Sequence, residues 1–299
     1  MKPVKLAHIT FFLKYILLMP TYDVRELQHQ LKVYSDDCYL AAIQQGEFRP
    51  YVHPVITPRG HVVTQIAPAD HLHHLGIWFA HEIVDGVDFW APESRYGRTT
   101  QPNPCSRMVA MSTDTEIGPD GVVFRQAVDW RDGRGEIRLT DARVIRIGER
   151  PDHTMVDVAV TVQAGSSGVC LERTKEAGLA VRVADQIDVM DGGRIMNADG
   201  GVNETGTFDQ LSAWVDYAGP ISRTETAGVA IFPHPGNEGI PWFTRDYGPI
   251  YVSPFRHTTV ELAPGETYTV GARFVAHDGS CEEADIAGIY DRFRSEVDV

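Results

Sequence analysis

Histidine is concentrated in one stretch of this sequence, between positions 49 and 90. His71, His73 and His74 fall within four consecutive residues of it. An imidazole near neutral pH can act as an acid, a base, a hydrogen-bond partner of an oxyanion or a metal ligand. A lone histidine is usually structural, but several imidazoles on one buried face each need a polar partner. The cluster therefore predicts a site of proton transfer.

The spacing of the cluster also predicts how its side chains are displayed. Successive side chains of a strand point to opposite faces. An unbroken strand over 71–81 would place three imidazoles on one face: His71, His73 and His81. His74 and Trp78 would then face the other way, unless Gly76 forms a bulge that changes the register. Three imidazoles on one face can bind a transition metal in an open site, so a divalent metal is an alternative to a cofactor-free site.

A second group of charged residues opens an apolar segment further along the chain. Lys175 and Glu176 precede a segment that reads as a strand and contains Arg182. Together these residues could supply a general acid or base and stabilise an anion, or they could be solvated loop charges. Glu176 is the preferred carboxylate of this group.

Two further segments offer groups that bind carbohydrates. Trp214 and Asp216 share one face of a predicted strand, where the indole could stack on a sugar ring and the carboxylate accept a hydroxyl. The structural alternative is a core tryptophan beside an exposed aspartate. The Gly- and Pro-rich segment 234–248 contains His234 and Arg245 and is typical of a loop that lines a pocket.

The start of the histidine-rich stretch carries a rigid pair of candidates. Tyr51 and His53 lie between prolines that fix the backbone, which suits preorganised ligand groups, although an edge strand with prolines at its ends explains them equally well. The predicted substrate-binding set is Tyr51, His53, Trp78, His81, Arg182, Trp214, Asp216, His234 and Arg245. We expect the histidine cluster, Glu176, Asp216 and Arg245 to converge on one pocket.

The composition limits the class of partner. With 299 residues, 43% of them hydrophobic, the chain can bury a large core. Its net charge of −14 argues against nucleic acid and against an anionic membrane, and leaves a neutral or cationic small molecule. No glycine-rich phosphate loop is present, so no nucleotide cofactor is expected. The four cysteines lack zinc or redox spacings, which is typical of reduced thiols in the cytoplasm: Cys38, Cys105, Cys170 and Cys281.

Residues 22–299 are expected to form one all-β domain. Segments such as 122–130 and 153–164 alternate apolar and polar residues, as the strands of packed sheets do. Many such strands in one unit indicate a large antiparallel two-sheet sandwich, or supersandwich. A helix is expected near 22–32, and a short C-terminal helix is expected from four apolar residues at helical spacing: Ile286, Ile289, Tyr290 and Phe293. Residues 1–21 read as a leader or a loosely ordered terminus, too short in apolar length to span a bilayer.

Several segments resemble the motifs of a bacterial family labelled PmoA, or methane-oxygenase-like. They are RPYVHPV, ADHLHHLGIWFAH, VDGVDFW, TKEAGLAVRVAD, AWVDYAG and PWFTRDYG, which together span roughly residues 49 to 280. The resemblance implies a soluble all-β protein of sugar-catabolic contexts. The matching positions are Tyr51, His53, Asp70, His71, His73, His74, Trp78, His81, Lys175, Glu176, Arg182, Trp214, Asp216 and Arg245. The C-terminal segment 254–279 also resembles the closing strands of galactose-mutarotase-like supersandwiches.

The resulting hypothesis is an enzyme that acts on a glycoside or an oxidised sugar by hydrolysis, elimination or isomerisation. The residues expected to carry the acid–base chemistry are His71, His73, His74, Lys175 and Glu176. The first alternative is a non-catalytic sugar-binding protein, and the second is a metal-dependent enzyme that uses the histidine cluster. The expected partner is a small-molecule sugar or glycoside, with neither nucleic acid nor membrane.

Overall fold

The computed structural model describes residues 20–92 and 105–297. Within these ranges the protein is built mainly from two large antiparallel sheets. The predicted leader lies almost entirely outside the described residues. No helix of the described residues is both long and apolar enough to cross a membrane.

Eight strands of the described chain form the first sheet, here called sheet 1. In pairing order they are β1 (Tyr22–Leu27), β2 (Gln30–Ser35), β3 (Cys38–Gln45), β4 (Pro50–Val55), β5 (Ile77–His81), β11 (Ala177–Arg182), β16 (Pro249–Val252) and β15 (Trp242–Thr244). All neighbours in this order pair antiparallel.

A second set of eight strands forms sheet 2. In pairing order they are β12 (Arg194–Asn197), β13 (Val215–Pro220), β14 (Thr226–Pro233), β18 (Thr267–Asp278), β9 (His153–Ala164), β8 (Ile137–Arg150), β7 (Gly121–Arg131) and β6 (Arg107–Gly118). A separate two-stranded pair joins β10 (Val169–Leu171) to β17 (Val260–Leu262). The described helices are α1 (Asn203–Thr207), α2 (Ile286–Val297) and two 3₁₀ turns, Asp185–Ile187 and Val189–Asp191.

The two sheets pack face to face around a common apolar core. Phe79 of sheet 1 meets Trp130 of sheet 2 with 5.9 Å between ring centroids, and Phe89 contacts the same indole at 5.1 Å. All three side chains are buried, and full burial of one phenylalanine contributes roughly 1.5–3 kcal/mol. The predicted all-β, antiparallel two-sheet sandwich is therefore confirmed.

The helix expected near 22–32 is wrong. This segment forms the hairpin of β1 and β2, in which Val24 pairs directly with Val33. Val33 is fully buried in the core and Val24 packs against it. β-branched residues placed on one face of paired strands bury more effectively than the same residues spread around a short helix, so tertiary packing decided the outcome.

The predicted C-terminal helix is confirmed as α2. Ile286, Ile289 and Phe293 are buried along one side of it, and Phe293 packs against Phe232 of sheet 2. At its start, the Asp285 side chain accepts a hydrogen bond from the backbone N–H of Gly288. The helix therefore covers the face of sheet 2 that is turned away from sheet 1.

Candidate functional site

The face of sheet 1 that points away from sheet 2, here called the outer face, carries an aromatic row. Four residues occupy directly paired positions across β5, β11, β16 and β15: Trp78, Ala180, Tyr251 and Phe243. Directly paired residues of neighbouring strands project from the same face. Since the adjacent Phe79 points into the core between the sheets, this row must face outward.

The histidines reach the outer face through a loop rather than a strand. Residues 67–76, here called the histidine loop, consist mainly of turns, and β5 begins only at Ile77. Gly76 has a φ of +57°, and a Cβ atom there would lie 2.2 Å from the carbonyl oxygen of Val52. Glycine alone tolerates this turn and this close approach to β4. The chain therefore folds back at Gly76. Of the two arrangements considered from the sequence, the unbroken strand over 71–81 is absent, and a change of register at Gly76 is present, as a turn rather than a bulge.

This geometry separates His81 from the other histidines. His81 lies on β5 one residue away from Ala80, which puts its side chain on the core face together with that of Phe79. There its ring meets Phe255 edge-on at 4.7 Å, and its Nδ1 accepts the N–H of Ile83. Burial lowers the pKa of His81 to about 3. The prediction that His71, His73 and His81 share one face is wrong.

Within the histidine loop, the rings form a continuous stack above the sheet. The imidazole of His74 lies on the indole of Trp78 at 5.2 Å, His71 lies on His74 at 4.6 Å, and Tyr247 covers His71 at 4.8 Å. His73 contacts His74 edge-on at 4.6 Å. Stacking fixes the planes of the rings, so the imidazoles are held in place before any ligand binds.

These elements enclose a cavity of about 280 Å³. It is lined by His71, His73, His74, Glu82, Asp88, Trp90, Ala91, Glu176, Phe243, Tyr247 and Tyr251. The expected convergence of the histidine loop with Glu176, although they are about a hundred positions apart in the chain, is thus present. The polar lining also includes residues that sequence reasoning missed: Glu82, Asp88, Trp90, Tyr247 and Tyr251.

Strand alternation could have identified the missed carboxylate. Glu82 follows Trp78 and Ala80 at successive even positions, so it continues the outer face beyond the end of β5. Its backbone N–H donates to the carbonyl oxygen of Glu176 across 3.0 Å, which places the two glutamates side by side. The hydroxyl of Thr174 donates to Oε2 of Glu82 across 2.5 Å.

His74 is held in one protonation state. Burial lowers its pKa far below the usual value, and the neighbouring His73, His71 and Arg182 lower it further. Arg182 also donates from Nη1 to Nδ1 of His74 across 3.4 Å. Because a guanidinium can only donate, Nδ1 is the acceptor and the proton of the neutral ring is on Nε2. His74 therefore offers the cavity a neutral N–H donor.

The other two histidines of the loop are set by different partners. Burial, followed by the charge of Arg49, lowers the pKa of His73 to about 3. Arg49 is fully buried and donates to the carbonyl oxygens of His73 and Trp90 at 2.7 and 2.8 Å, which ties two walls of the cavity together. His71 places Nδ1 2.7 Å from Oδ2 of Asp70. Burial would raise the pKa of Asp70, but the hydrogen bond from His71 and the charge of Arg182 lower it overall.

Glu176 is biased towards its protonated form. Burial raises its pKa, and the charge of Glu82 raises it further. Lys175, whose Nζ lies 3.4 Å from Oε1, and the hydroxyl of Tyr251 act in the opposite direction without cancelling the effect of burial. The Lys175 side chain is 60% exposed and does not line the cavity. The raised pKa makes the ionised carboxylate a stronger base than an exposed glutamate.

Trp214 and Asp216 do not converge on the cavity. They lie on the face of sheet 2 that α2 covers, where Trp214 packs with Phe232 and Phe293. Asp216 is 1% exposed and its Oδ1 lies 2.8 Å from Nε2 of His277. The prediction that Asp216 joins the histidine pocket is wrong, because the strand after Trp214 belongs to the other sheet.

The segment 234–248 is divided between the two sheets. Its second half supplies Phe243 and Tyr247 to the cavity, as a pocket-lining loop should. His234 instead contacts Asp157 on β9 of sheet 2, far from the outer face of sheet 1 in the fold.

Arg245 is near the cavity without lining it. It forms an ion pair with Glu204, and its guanidinium lies over the rings of Phe208 and Phe243 at 4.2 and 4.6 Å. The prediction that Arg245 joins the pocket is therefore wrong, although Arg245 supports Phe243 from behind.

Tyr51 and His53 also have partners of their own outside the cavity lining. The Tyr51 hydroxyl donates to Gln44 across 3.1 Å. Nδ1 of His53 lies 2.9 Å from the hydroxyl of Thr64, and burial lowers the pKa of His53 to about 4. Both residues belong to β4, which supports the histidine loop at Gly76.

The side chains present do not fit the metal site that was considered from the sequence. That site required His81, which points into the core instead. Over residues 20–92 and 105–297, no group of three or more His, Cys, Asp or Glu side chains has an arrangement that could hold a metal ion.

Comparison with known proteins identifies the family. The model of a family of unknown function, DUF6807, matches residues 30–291. The chain belongs to this family. The DUF6807 match spans both sheets and the whole cavity lining, and it gives no support to the PmoA label. No curated protein matches the sequence. Among solved structures, a galactose mutarotase related enzyme from Lactobacillus acidophilus is similar at 9% identity and a TM-score of 0.34, covering 86% of this chain and 97% of that one.

Proposed function

We propose that the cavity on sheet 1 is the active site of a carbohydrate-active enzyme that transfers a proton on an oxidised sugar or glycoside. The observation that carries the proposal is that Glu176, a carboxyl with a raised pKa, and His74, a neutral N–H donor, line the same cavity. A base and an oxyanion partner are the two groups required to remove a proton next to a carbonyl.

The proposed step uses each group once. The carboxylate of Glu176 takes the proton from the carbon next to the carbonyl. The electron pair of the broken C–H bond forms a C=C bond, and the π pair of the carbonyl moves onto its oxygen. Nε2–H of His74 donates a hydrogen bond to that oxygen as negative charge develops on it. A neutral imidazole suits this role, because its N–H remains in place throughout the step. Return of the proton to the former carbonyl carbon, with the hydroxyl proton of the first carbon passing to the oxyanion, gives isomerisation. Loss of a leaving group from the β-carbon, as the carbonyl re-forms, gives elimination.

The walls of the cavity are suited to a sugar. Trp90, Phe243 and Tyr251 supply aromatic rings that can pack against the C–H face of a pyranose. The indole N–H of Trp90 is buried and has no hydrogen-bond partner among the described residues, so a ligand hydroxyl could satisfy it. A volume of about 280 Å³ limits the ligand to a monosaccharide or a small glycoside.

Hydrogen exchange in D₂O tests the proposal directly. The protein is incubated with methyl β-D-glucopyranoside and with its 3-keto derivative, and proton NMR follows the C–H groups next to the carbonyl. We expect exchange in the keto sugar, with a rate at least about a hundredfold lower in Glu176→Gln. The matched control is Glu261→Gln, which removes an exposed carboxylate outside the cavity.

Three results decide between the alternatives. Loss of exchange in Glu176→Gln, with exchange intact in Glu261→Gln, supports the enzyme. Saturable binding of either sugar without any exchange supports a sugar-binding protein instead. Exchange that persists in Glu176→Gln contradicts the role given to this residue.

A further inference from the structure

The described residues that line the cavity on sheet 1 carry charge of one sign. The charged side chains among its described lining residues are carboxylates: Glu82, Asp88 and Glu176. The lining imidazoles His73 and His74 are neutral at physiological pH because burial lowers their pKa values. Among the described residues, cations border this lining from outside it: the exposed Lys175 contacts Glu176 at the rim, and Arg182 donates to His74 from behind the rings. The lining therefore has an excess of negative charge.

Glu82 is the carboxylate without a counter-charge. Its hydrogen-bond donor is the neutral hydroxyl of Thr174, and no lysine, arginine or histidine of the described residues lies within ion-pair distance of it. Its charge acts on the adjacent Glu176 and raises the pKa of that group. Two carboxylates in a half-enclosed cavity repel each other more strongly than they would in bulk water, so a ligand cation would lower the energy of the site.

The walls around these carboxylates are suited to a cation as well. Trp90 and Tyr251 line the same cavity, and the face of an aromatic ring attracts an ammonium group. The rings of Phe243 and Tyr247 already lie against the guanidinium groups of Arg245 and Arg182. The unpartnered N–H of Trp90, in a side chain that is 1% exposed, separately calls for an acceptor such as a hydroxyl oxygen. The lining is therefore suited to a ligand that has both hydroxyl groups and a positive charge.

We infer that the carbohydrate recognised by this cavity carries an ammonium group, as an amino sugar does, and that Glu82 is the carboxylate that pairs with it. The inference rests on the proposed function and specifies its substrate class. Glu176 then keeps its role in proton transfer, because the ammonium group is paired with the neighbouring glutamate.

Calorimetric titration with matched sugars tests this inference. The ligands are glucosamine, galactosamine and mannosamine, each compared with its neutral parent hexose and its N-acetyl derivative. We expect at least one amino sugar to bind ten or more times as tightly as both of its neutral counterparts. The ratio should fall as NaCl is raised, because salt screens the ion pair. In Glu82→Gln the ratio should approach one, whereas Glu261→Gln should leave it unchanged. Circular dichroism establishes that both variants are folded.

The outcomes separate this inference from the proposed function. Neutral sugars that bind as well as amino sugars overturn the cationic substrate and leave the enzyme standing. A preference for amino sugars that survives in Glu82→Gln overturns the role of Glu82. Absence of binding by every member of the panel overturns the inference, while the exchange experiment with the keto glycoside still decides the proposed function separately.

Discussion

Arg182 on β11 donates a hydrogen bond to Nδ1 of His74 across 3.4 Å. Its side chain lies on the same face of sheet 1 as that of Glu176, which comes just before β11 in the chain. The guanidinium is almost fully buried and its other ionic partner is Asp185, at 3.3 Å. A single cation behind the cavity thus determines which nitrogen of His74 carries the proton, and it also opposes protonation of that ring.

Replacing Arg182 should change the pKa and the tautomer of His74 while the protein stays folded. In Arg182→Met the pKa of His74 should rise, because one of the charges that lowers it is gone, and the Nε2–H tautomer should no longer be enforced. We expect about a tenfold or larger loss of the exchange rate. Nitrogen-15 NMR of the imidazoles reports the tautomer. An unchanged His74 spectrum in a folded variant would contradict the positioning role of Arg182.

Lys175 should tune the base rather than act as one. It lowers the pKa of Glu176, and as a base Glu176 is active when ionised, so the rate should rise as pH increases through that pKa. Lys175→Gln should move this limb of the pH–rate profile to higher pH and leave the plateau within about twofold. Arg173→Gln, at an exposed neighbouring position, is the control. A collapse of the plateau rate would instead make Lys175 catalytic.

Stability should fall as the solution is acidified. His81 titrates near pH 6.5 when unfolded and at about 3 when folded. Between these values the unfolded state binds the proton preferentially, so the folded state loses stability as pH falls. This one residue should cost about 2 kcal/mol between pH 6.5 and pH 4.5. Urea unfolding at several pH values measures the slope. His81→Gln should reduce the slope by about one proton, the remainder coming from His53, His73 and His74, whereas His29→Gln, at an exposed position, should leave it unchanged.

Asp216 should matter for folding and not for ligand binding. Asp216 and His277 are 1% and 0% exposed and lie 2.8 Å apart, so removing one partner leaves the other buried without it. Asp216→Ala should lower the free energy of unfolding by about 3–5 kcal/mol, compared with little change in Asp114→Ala at an exposed position. Titration with the same sugars should give unchanged affinities. Weaker binding by folded Asp216→Ala protein would place this residue in the site after all.

Chelation should leave the exchange rate unchanged. The expectation follows from His81, which points into the core and so cannot join His71 and His73 as a third ligand. The measurement is the rate before and after EDTA, together with elemental analysis of protein purified without chelator. A stoichiometric transition metal whose removal abolishes the rate would show that proton transfer depends on an ion.

The sequence predicted the parts of this structure that depend on local patterns. Alternation of apolar residues indicated the strands of both sheets, and the spacing of Ile286, Ile289 and Phe293 indicated α2. The meeting of His74 with Glu176 was expected from residue type, but their proximity depends on β5 pairing with β11 across about ninety residues of chain. Pairing between distant strands is not encoded in local periodicity.

The error over Trp214 and Asp216 has this same physical origin. Trp214 and Asp216 have residue types as suitable for a sugar site as Trp90 and Glu82 have, yet β13 lies in sheet 2 under α2. Only the assignment of each strand to a sheet distinguishes the two pairs. The error in the histidine register was of another kind, because it came from one glycine at a positive φ, Gly76. A single such residue ends the strand alternation, so the side chains that precede it no longer follow the faces of β5.

Side chains along β5 and β11 alternate between the cavity side and the core side of sheet 1. In β5, Trp78 and Ala80 border the cavity side, while Ile77 and Phe79 fill the core; in β11, Ala180 and Leu179 are divided in the same way. Substitutions at the cavity-side positions can change what the protein binds without disturbing the contact between the two sheets. Ala180, a methyl group between the large aromatic side chains of Trp78 and Tyr251, is fully buried on the cavity side without lining the cavity. Its enlargement should therefore displace these aromatic neighbours and alter the cavity while the core between the sheets stays the same.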